Sequence, residues 1–374
     1  MNINSSTKST VDQTQLWLFD FQSGRKQGGH DQEYLTQLIL AVSSWQITVI
    51  APYLEVQVKP RDTKIARVTL RLEAFLGLFR KKGSNIAVFH TPVLLDFVLY
   101  YATSKFTWRK APVSAVFFLR RLDAGMIGSQ GWKTTLMRHT IKSLAMNANC
   151  FFVSDCDATI KHWENHLHKE IMYIPLPPRN FKPHKEKPKD TVTLGLLGLF
   201  RLEKGADKYD SAIRYLLNID RSAKVFCQLP DTFQNLAEEK IAMELRANWG
   251  DSNNVIFLPG YLASEEYTNI LQDVHIVLLP YRKSSYQSGS SGLFFDAHLA
   301  GAVIISTPFH WAKKHYSQDD QVIWLNSTDD GRTEEAIKEA HNLATTGTRK
   351  ISNSSNSAHS FVKAWNLAII RASP

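Results

Sequence analysis

Residues 274–306 read Val274-His-Ile-Val-Leu-Leu-Pro280, then Tyr281-Arg-Lys-Ser-Ser-Tyr-Gln-Ser-Gly-Ser-Ser-Gly292, then Leu293-Phe-Phe-Asp-Ala-His-Leu-Ala300, then Gly301-Ala-Val-Ile-Ile-Ser306. The first apolar run is short, rich in branched residues and closed by proline, which predicts a strand over Val274–Pro280. Serine and glycine then break the pattern, and Leu293–Ala300 is predicted as a helix. Ala302–Ser306 is a second apolar strand. Neither strand alternates apolar with polar residues, so both are covered on both faces. That is the mark of a parallel sheet joined by crossover helices.

The same alternation extends in both directions. Downstream of residue 190, strands are predicted at Val192–Leu199, Ala223–Gln228, Asn254–Leu258 and Gln321–Leu325 as well. Helices fall at Gly205–Leu217, Asn235–Asn248, Ser264–Gln272, Glu334–Ala344 and Phe361–Ile370. Upstream, strands are predicted at Leu16–Phe21, Gln46–Pro52, Asn85–His90, Pro112–Leu119, Cys150–Ser154 and Glu170–Ile174. The helices among them are Asp31–Ser44, Lys64–Arg80, Pro92–Ala102, Trp132–Ala148 and Ala158–His166. The stretch PLPPRNFKPHKEKPK at 175–189 has the composition of a linker, not of a core. Residues 1–15 are then a polar tail, 16–178 one Rossmann-like domain, 179–190 a linker, 191–355 a second such domain, and 356–374 a helix returning to the first. The expected fold class is α/β: two doubly wound domains facing a cleft, with ligands outside the carboxyl ends of the strands.

The bulk composition agrees with two cores. The chain has 374 residues, 44% of them hydrophobic, which excludes general disorder. Charge is uneven. Residues 1–190 hold 26 Lys and Arg against 15 Asp and Glu, and residues 191–374 hold 18 against 20. The first half therefore faces something anionic, and the second does not need to. No zinc finger, RNA-recognition motif or basic repeat supports a nucleic-acid reading. The three cysteines form no CxxC pair, so no disulfide scaffold or four-cysteine zinc site is expected, and reduced thiols point to a cytoplasmic chain. The His162, His166 and His168 group lacks carboxylate or thiol partners for a metal. The N-terminus lacks an apolar signal core, and no run is long enough to span a membrane.

Two segments carry chemistry. In GLFRLEKG at 198–205 a strand ends and a helix begins, with Arg201 and Lys204 at the strand's carboxyl end. Cations and free backbone N–H groups at a helix start favour phosphate, although two surface cations on a solvated turn would look the same. In Pro280–Ala297 the small residues Ser290, Ser291 and Gly292 let backbone approach a ligand, and Tyr281 opens the loop. Asp296 lies one turn into the helix, where a carboxylate can accept hydrogen bonds from a ribose diol.

These segments, with SEEYTNILQDVHIVLLPY at 264–281 and LAGAVIIST at 299–307, resemble the second domain of GT-B glycosyltransferases, notably the glycosyltransferase 4 type. Gly28-Gly29-His30 after the first strand resembles that family's N-terminal glycine loop. The resemblance implies a UDP- or GDP-sugar donor, no cofactor and no metal, and a lipid-linked or polysaccharide acceptor bound by the first domain with retention at the anomeric carbon. It implies that Gly198, Arg201, Lys204, Tyr281, Ser290, Ser291, Gly292 and Asp296 hold the donor. Ser288 stands where the family carries a glutamate, and Arg120-Arg-Leu-Asp123 stands where a His-Asp pair is expected. His90, Arg120 and Asp123 are the remaining candidates for the reacting centre. These departures leave a second reading, a non-catalytic nucleotide-sugar-binding subunit of a glycan-assembly complex.

The basic surplus has one candidate carrier. Arg61, Lys64, Arg67 and Arg71 form one stripe of a helix. Ile65, Val68, Leu72, Phe75, Leu76 and Phe79 form the opposite stripe. The expectation is that the apolar stripe packs on the sheet while the cations face water or an anionic membrane.

Overall fold

The structure, a computed structural model, describes residues 15–19, 30–50, 71–76, 78, 85–90, 92–106, 113–119, 131–179, 181, 191–233, 235–282, 289–325, 330–346 and 354–373. The described residues form two compact units. One comprises the described residues up to Pro175, His30 excepted, together with those from His359 on, and the other comprises His30 and the described residues from Leu176 to Ala358.

In the first unit the strands are β1 (Gln15–Phe19), β2 (Gln46–Ile50), β3 (Asn85–Phe89), β4 (Val113–Phe118), β5 (Cys150–Ser154) and β6 (Ile171–Tyr173). They make one parallel sheet in the order β2-β1-β3-β4-β5-β6. The order reverses direction between β1 and β3. The helices are α1 (His30–Ala41), α2 (Leu94–Phe106), α3 (Trp132–Ala145) and α4 (Asp157–Leu167), plus a helical stretch at residues 71–76. On one face the parallel register aligns Phe19, Phe89, Phe117 and Phe152 on adjacent strands. Their rings stack at 4.9, 4.6 and 5.8 Å. Each ring buried this way stabilises the fold by roughly 1.5–3 kcal/mol.

In the second unit β7 (Thr193–Leu196), β8 (Lys224–Leu229), β9 (Val255–Pro259), β10 (Ile276–Leu279), β11 (Val303–Ser306) and β12 (Val322–Trp324) form a parallel sheet. Its order is β12-β11-β10-β7-β8-β9, the dinucleotide-binding arrangement, and its switch point lies between β7 and β10. The helices are α5 (Tyr209–Ile219), α6 (Leu236–Trp249), α7 (Ser264–Asp273), α8 (Gly292–Leu299), α9 (His310–Tyr316) and α10 (Asp330–Thr346). Central strand residues such as Leu194, Leu196, Ile276, Leu278 and Ile305 are fully buried, as continuous apolar strands require.

The last helix, α11 (Ser354–Ala372), buries Phe361, Trp365, Ala368, Ile369 and Ala372, a helical stripe, against the first unit. Phe361 meets Tyr34 edge-on at 5.4 Å, Trp365 meets Phe118 at 5.9 Å, and Trp45 Nε1 donates to Asn366 Oδ1 at 3.1 Å.

Three features differ from the sequence expectation. The helix expected to begin at Gly205 is preceded by two 3₁₀ turns, Leu202–Lys204 and Ala206–Lys208, so regular α5 starts at Tyr209. The short helix α9 was not expected. The third difference concerns the basic stripe. Arg71 is buried and pairs with Asp96 at 2.7 Å, while Leu72 and Leu76 are exposed. Asp96 explains the rotation: its Oδ2 accepts the Val93 N–H at the start of α2, and a buried carboxylate needs a cation. Arg61, Lys64 and Arg67 lie outside the described residues.

Candidate functional site in the second unit

The carboxyl edge of the second sheet, at its switch point, is built by two loops. After β7 the chain turns through Gly198, at φ +94°, a conformation that favours glycine. A Cβ on Gly198 would lie 3.2 Å from Leu293 Cδ2 and 3.7 Å from Lys204 Nζ. The Lys204 ammonium therefore stands over the Gly198 backbone, beside the start of α8. Arg201 precedes the first 3₁₀ turn, partly exposed, with Nη1 on Glu203 Oε1 at 3.1 Å. Gly205, at φ +78°, closes the loop directly onto the end of β10, where an added Cβ would fall 2.3 Å from the Pro280 carbonyl oxygen. Arg282 N–H donates to Glu203 O at 2.9 Å, fastening the two loops together.

Two side chains brace this loop from behind. Gln228, at the end of β8, accepts the Gly198 N–H at 2.7 Å and donates to Gly260 O at 3.1 Å. Glu238 accepts the Leu202 N–H at 3.1 Å. The sequence reading missed both. A signal existed for Glu238, because Asn235-Leu-Ala-Glu238 has capping-box spacing. Asn235 does cap α6, accepting from Glu238 N–H at 3.0 Å, while the glutamate carboxylate turns to the 198–205 loop instead of its own helix.

The second loop ends at Ser291, which caps α8 by accepting from Phe294 N–H at 3.2 Å. The Tyr281 hydroxyl shares a 3.0 Å hydrogen bond with Ser291 Oγ. Tyr281, Ser290 and Ser291 are all buried, so they shape the turn and aim the helix start. With Phe294 and Phe295 N–H groups taken by Ser291, the first helical amides, Gly292 and Leu293, are those that helix geometry directs outward. The site thus joins Gly198, Lys204, Gly292 and the α8 N-terminus: one cation, one helix dipole and close-approach backbone. That set suits a diphosphate.

Asp296 is 2% exposed and occupied from within the unit: Arg179 Nε donates to its Oδ2 at 2.8 Å. Arg179 also donates to Ser264 Oγ at 2.9 Å and lies 4.7 Å from the Tyr267 ring centroid. Burial, and then the Asp296 charge, push the Tyr267 phenol well above its ordinary pKa. The first residue of the expected linker is thus a buried anchor, because a guanidinium can satisfy a carboxylate, a hydroxyl and an aromatic face together.

In the first unit, His90 follows β3 and is fully buried. Its ring stacks on Tyr34 at 4.7 Å and on Phe118 at 5.8 Å. Gly28, Gly29, Arg120 and Asp123 lie outside the described residues, as does the side chain of His30, which begins α1. Among the described residues no group of three or more His, Cys, Asp or Glu could hold a metal ion, and no helix is long and apolar enough to cross a membrane.

Two doubly wound parallel sheets with these strand orders define the GT-B type of α/β fold. The sequence matches no protein-family model and no curated protein. Solved structures match along nearly the whole chain. Sucrose-phosphate synthase from Thermosynechococcus elongatus aligns with a TM-score of 0.64 at 13% identity, over 96% of each chain. HepE of Anabaena, in complex with UDP and glucose, aligns at 0.61 and 13% identity, over 96% of this chain and 98% of that one. A glycosyltransferase from Rickettsia africae aligns at 0.61 and 11% identity, over 96% of each chain. At such identities the likeness is one of fold.

Proposed function

We propose that this chain is a glycosyltransferase that takes a UDP- or GDP-sugar on the carboxyl edge of its second unit. The observation that carries the reading is the Lys204 ammonium standing over Gly198 beside the Ser291-capped start of α8. When the glycosidic bond to the diphosphate breaks, the leaving group gains charge. Lys204, Arg201 and the α8 amides are fixed in place beforehand, so they stabilise that charge more in the transition state than in the bound donor. This chemistry uses side-chain cations and needs no metal. We assign transfer with retention to an acceptor on the first unit, in the manner of the glycosyltransferase 4 type, with His90, Arg120 and Asp123 as the candidate groups at the reacting centre. The basic surplus of residues 1–190 fits an anionic acceptor, a lipid-linked sugar or a polysaccharide, and a cytoplasmic protein peripheral to a membrane.

Asp296 holds the ribose in this reading only if Arg179 shares it, so the pair is treated as one element. Ser288 and Arg120-Arg121 at positions where glutamate and histidine are usual favour one alternative, a nucleotide-sugar-binding subunit without turnover. Incubating the chain with a panel of nucleotide sugars, with and without acceptors, separates the two. Release of UDP or GDP supports transfer, and nucleotide-induced thermal stabilisation without release supports the subunit. Neither response contradicts both.

A further inference from the structure

The first unit carries a surface that the sheet does not explain. Helix α3 buries Thr134, Met137, Thr140, Ile141 and Leu144 against the core. A helix covering a sheet needs only that one apolar stripe. α3 has a second one on the opposite side: Trp132 is 70% exposed, Leu136 39%, and Met146, which caps the helix, 85%. Their spacings of four and ten residues keep them within a narrow arc of the helix at 100° per residue, a line roughly 20 Å long. Lys133 lies on one side of this line and Arg138 and Lys142 on the other, all exposed; His139 and Ser143 fall within it, and Trp132–Ala145 contains no acidic residue. Lys133 Nζ lies 5.7 Å from the Trp132 ring centroid.

We propose that this outer face of α3 docks on an anionic lipid surface. The charge pattern selects the occupant. An apolar ridge with cations along both flanks is complementary to a plane of negative headgroups above acyl chains, where a tryptophan sits at the boundary and long cations reach up to the phosphates. The inference rests on the reading above only for the sign of the partner's charge. It moves the contact from the 61–82 segment, where Arg71 is buried, to α3.

The test is flotation of the full chain with vesicles of phosphatidylcholine alone and of phosphatidylcholine mixed with phosphatidylglycerol. The wild type binds the mixed vesicles and not the neutral ones. The variant Lys133→Glu/Arg138→Glu/Lys142→Glu lowers partition by about 100-fold or more, given three surface cations reversed. Trp132→Ser/Leu136→Ser/Met146→Ser lowers it by about tenfold. Lys224→Glu/Lys240→Glu/Lys338→Glu, with the same charge change on the second unit, leaves it unchanged. Loss of binding in that control equal to the α3 loss overturns the proposal, as does wild type that ignores anionic vesicles. Self-association that the α3 variants abolish, without vesicle binding, overturns it in favour of a protein occupant. Thermal melts of each variant with UDP and GDP keep the issues apart, since intact nucleotide stabilisation beside lost flotation isolates the lipid surface.

Discussion

Among the described residues, the two sheets end their carboxyl edges in opposite ways. At the switch point of the first sheet, rings fill the space: Phe19 and Phe89 stack at the ends of β1 and β3, and His90 lies against Tyr34 and Phe118. At the switch point of the second, backbone and one ammonium fill it: Gly198, Gly205, Lys204 and the start of α8. Among the described residues this closure is aromatic, with only the His90 ring and the Tyr34 hydroxyl as polar groups within the stack. Backbone closure presents amides and a cation at an edge held in shape by Gln228 and Glu238. The proposed phosphate chemistry uses the second of these edges and leaves the first unit its basic surface.

Substitutions that act on only one side of this contrast sharpen it. The largest effect is expected at the Arg179–Asp296 pair, where the side chains are 7% and 3% exposed. Asp296→Asn leaves a buried guanidinium uncompensated and costs the second unit about 3–5 kcal/mol in chemical denaturation. Replacing both residues by leucine recovers most of that loss. If Asp296 serves only to bind ribose, Asp296→Asn instead lowers nucleotide affinity with stability intact.

Next comes Lys204→Ala, expected to lower kcat/KM by about 10²–10³-fold with the melting temperature unchanged. His90→Phe, which preserves the ring stack, provides the counterpart in the first unit. A loss of kcat there with folding intact supports His90 at the reacting centre, and an unchanged kcat removes it from that role.

Gly205→Ala is expected to cost about 1–3 kcal/mol, since alanine is strained at φ +78° and its Cβ would fall 2.3 Å from the Pro280 carbonyl oxygen. The same variant should weaken UDP binding by shifting Lys204. A fall in stability with unchanged affinity would detach the loop from the site.

The last effect is absent at neutral pH, appears only in alkali and is shared by both units. Burial pushes the thiols of Cys150 and Cys227 up to about 12 and that of Cys156 to about 11. A pKa raised by folding gives stability that is complete below the unfolded value and lost as pH rises toward the folded one. Stability should therefore decline from about pH 9 upward, and Cys227→Ala should flatten the decline in the second unit. Denaturation at several alkaline pH values measures the slope.

The strand pattern was legible because it is local. Continuous apolar runs such as Val303–Ser306 announce a parallel sheet without reference to anything distant. Gly198, Lys204, Ser291 and Gly292 were legible for the same reason, since a strand end followed by small residues and a helix start lies within one window of sequence. What escaped the reading is pairing across distance. Arg179 sits in proline- and lysine-rich sequence that reads as linker, yet its partner is 117 residues away. Arg71 falls on a basic stripe by spacing, but Asp96, 25 residues on, turns it inward. Gln228 carries no pattern of its own, and its role becomes visible only when the ends of β7 and β8 stand side by side.

The central claim is that phosphate chemistry belongs to the backbone-lined edge of the second sheet. A crystal structure of the chain with UDP or GDP tests it most directly. The account predicts the diphosphate within hydrogen-bond reach of Lys204 Nζ and the Gly292 amide, with Gln228 and Glu238 still bracing the loop. Nucleotide bound on the first sheet's edge, or bound to the second unit away from Lys204 and α8, would contradict it.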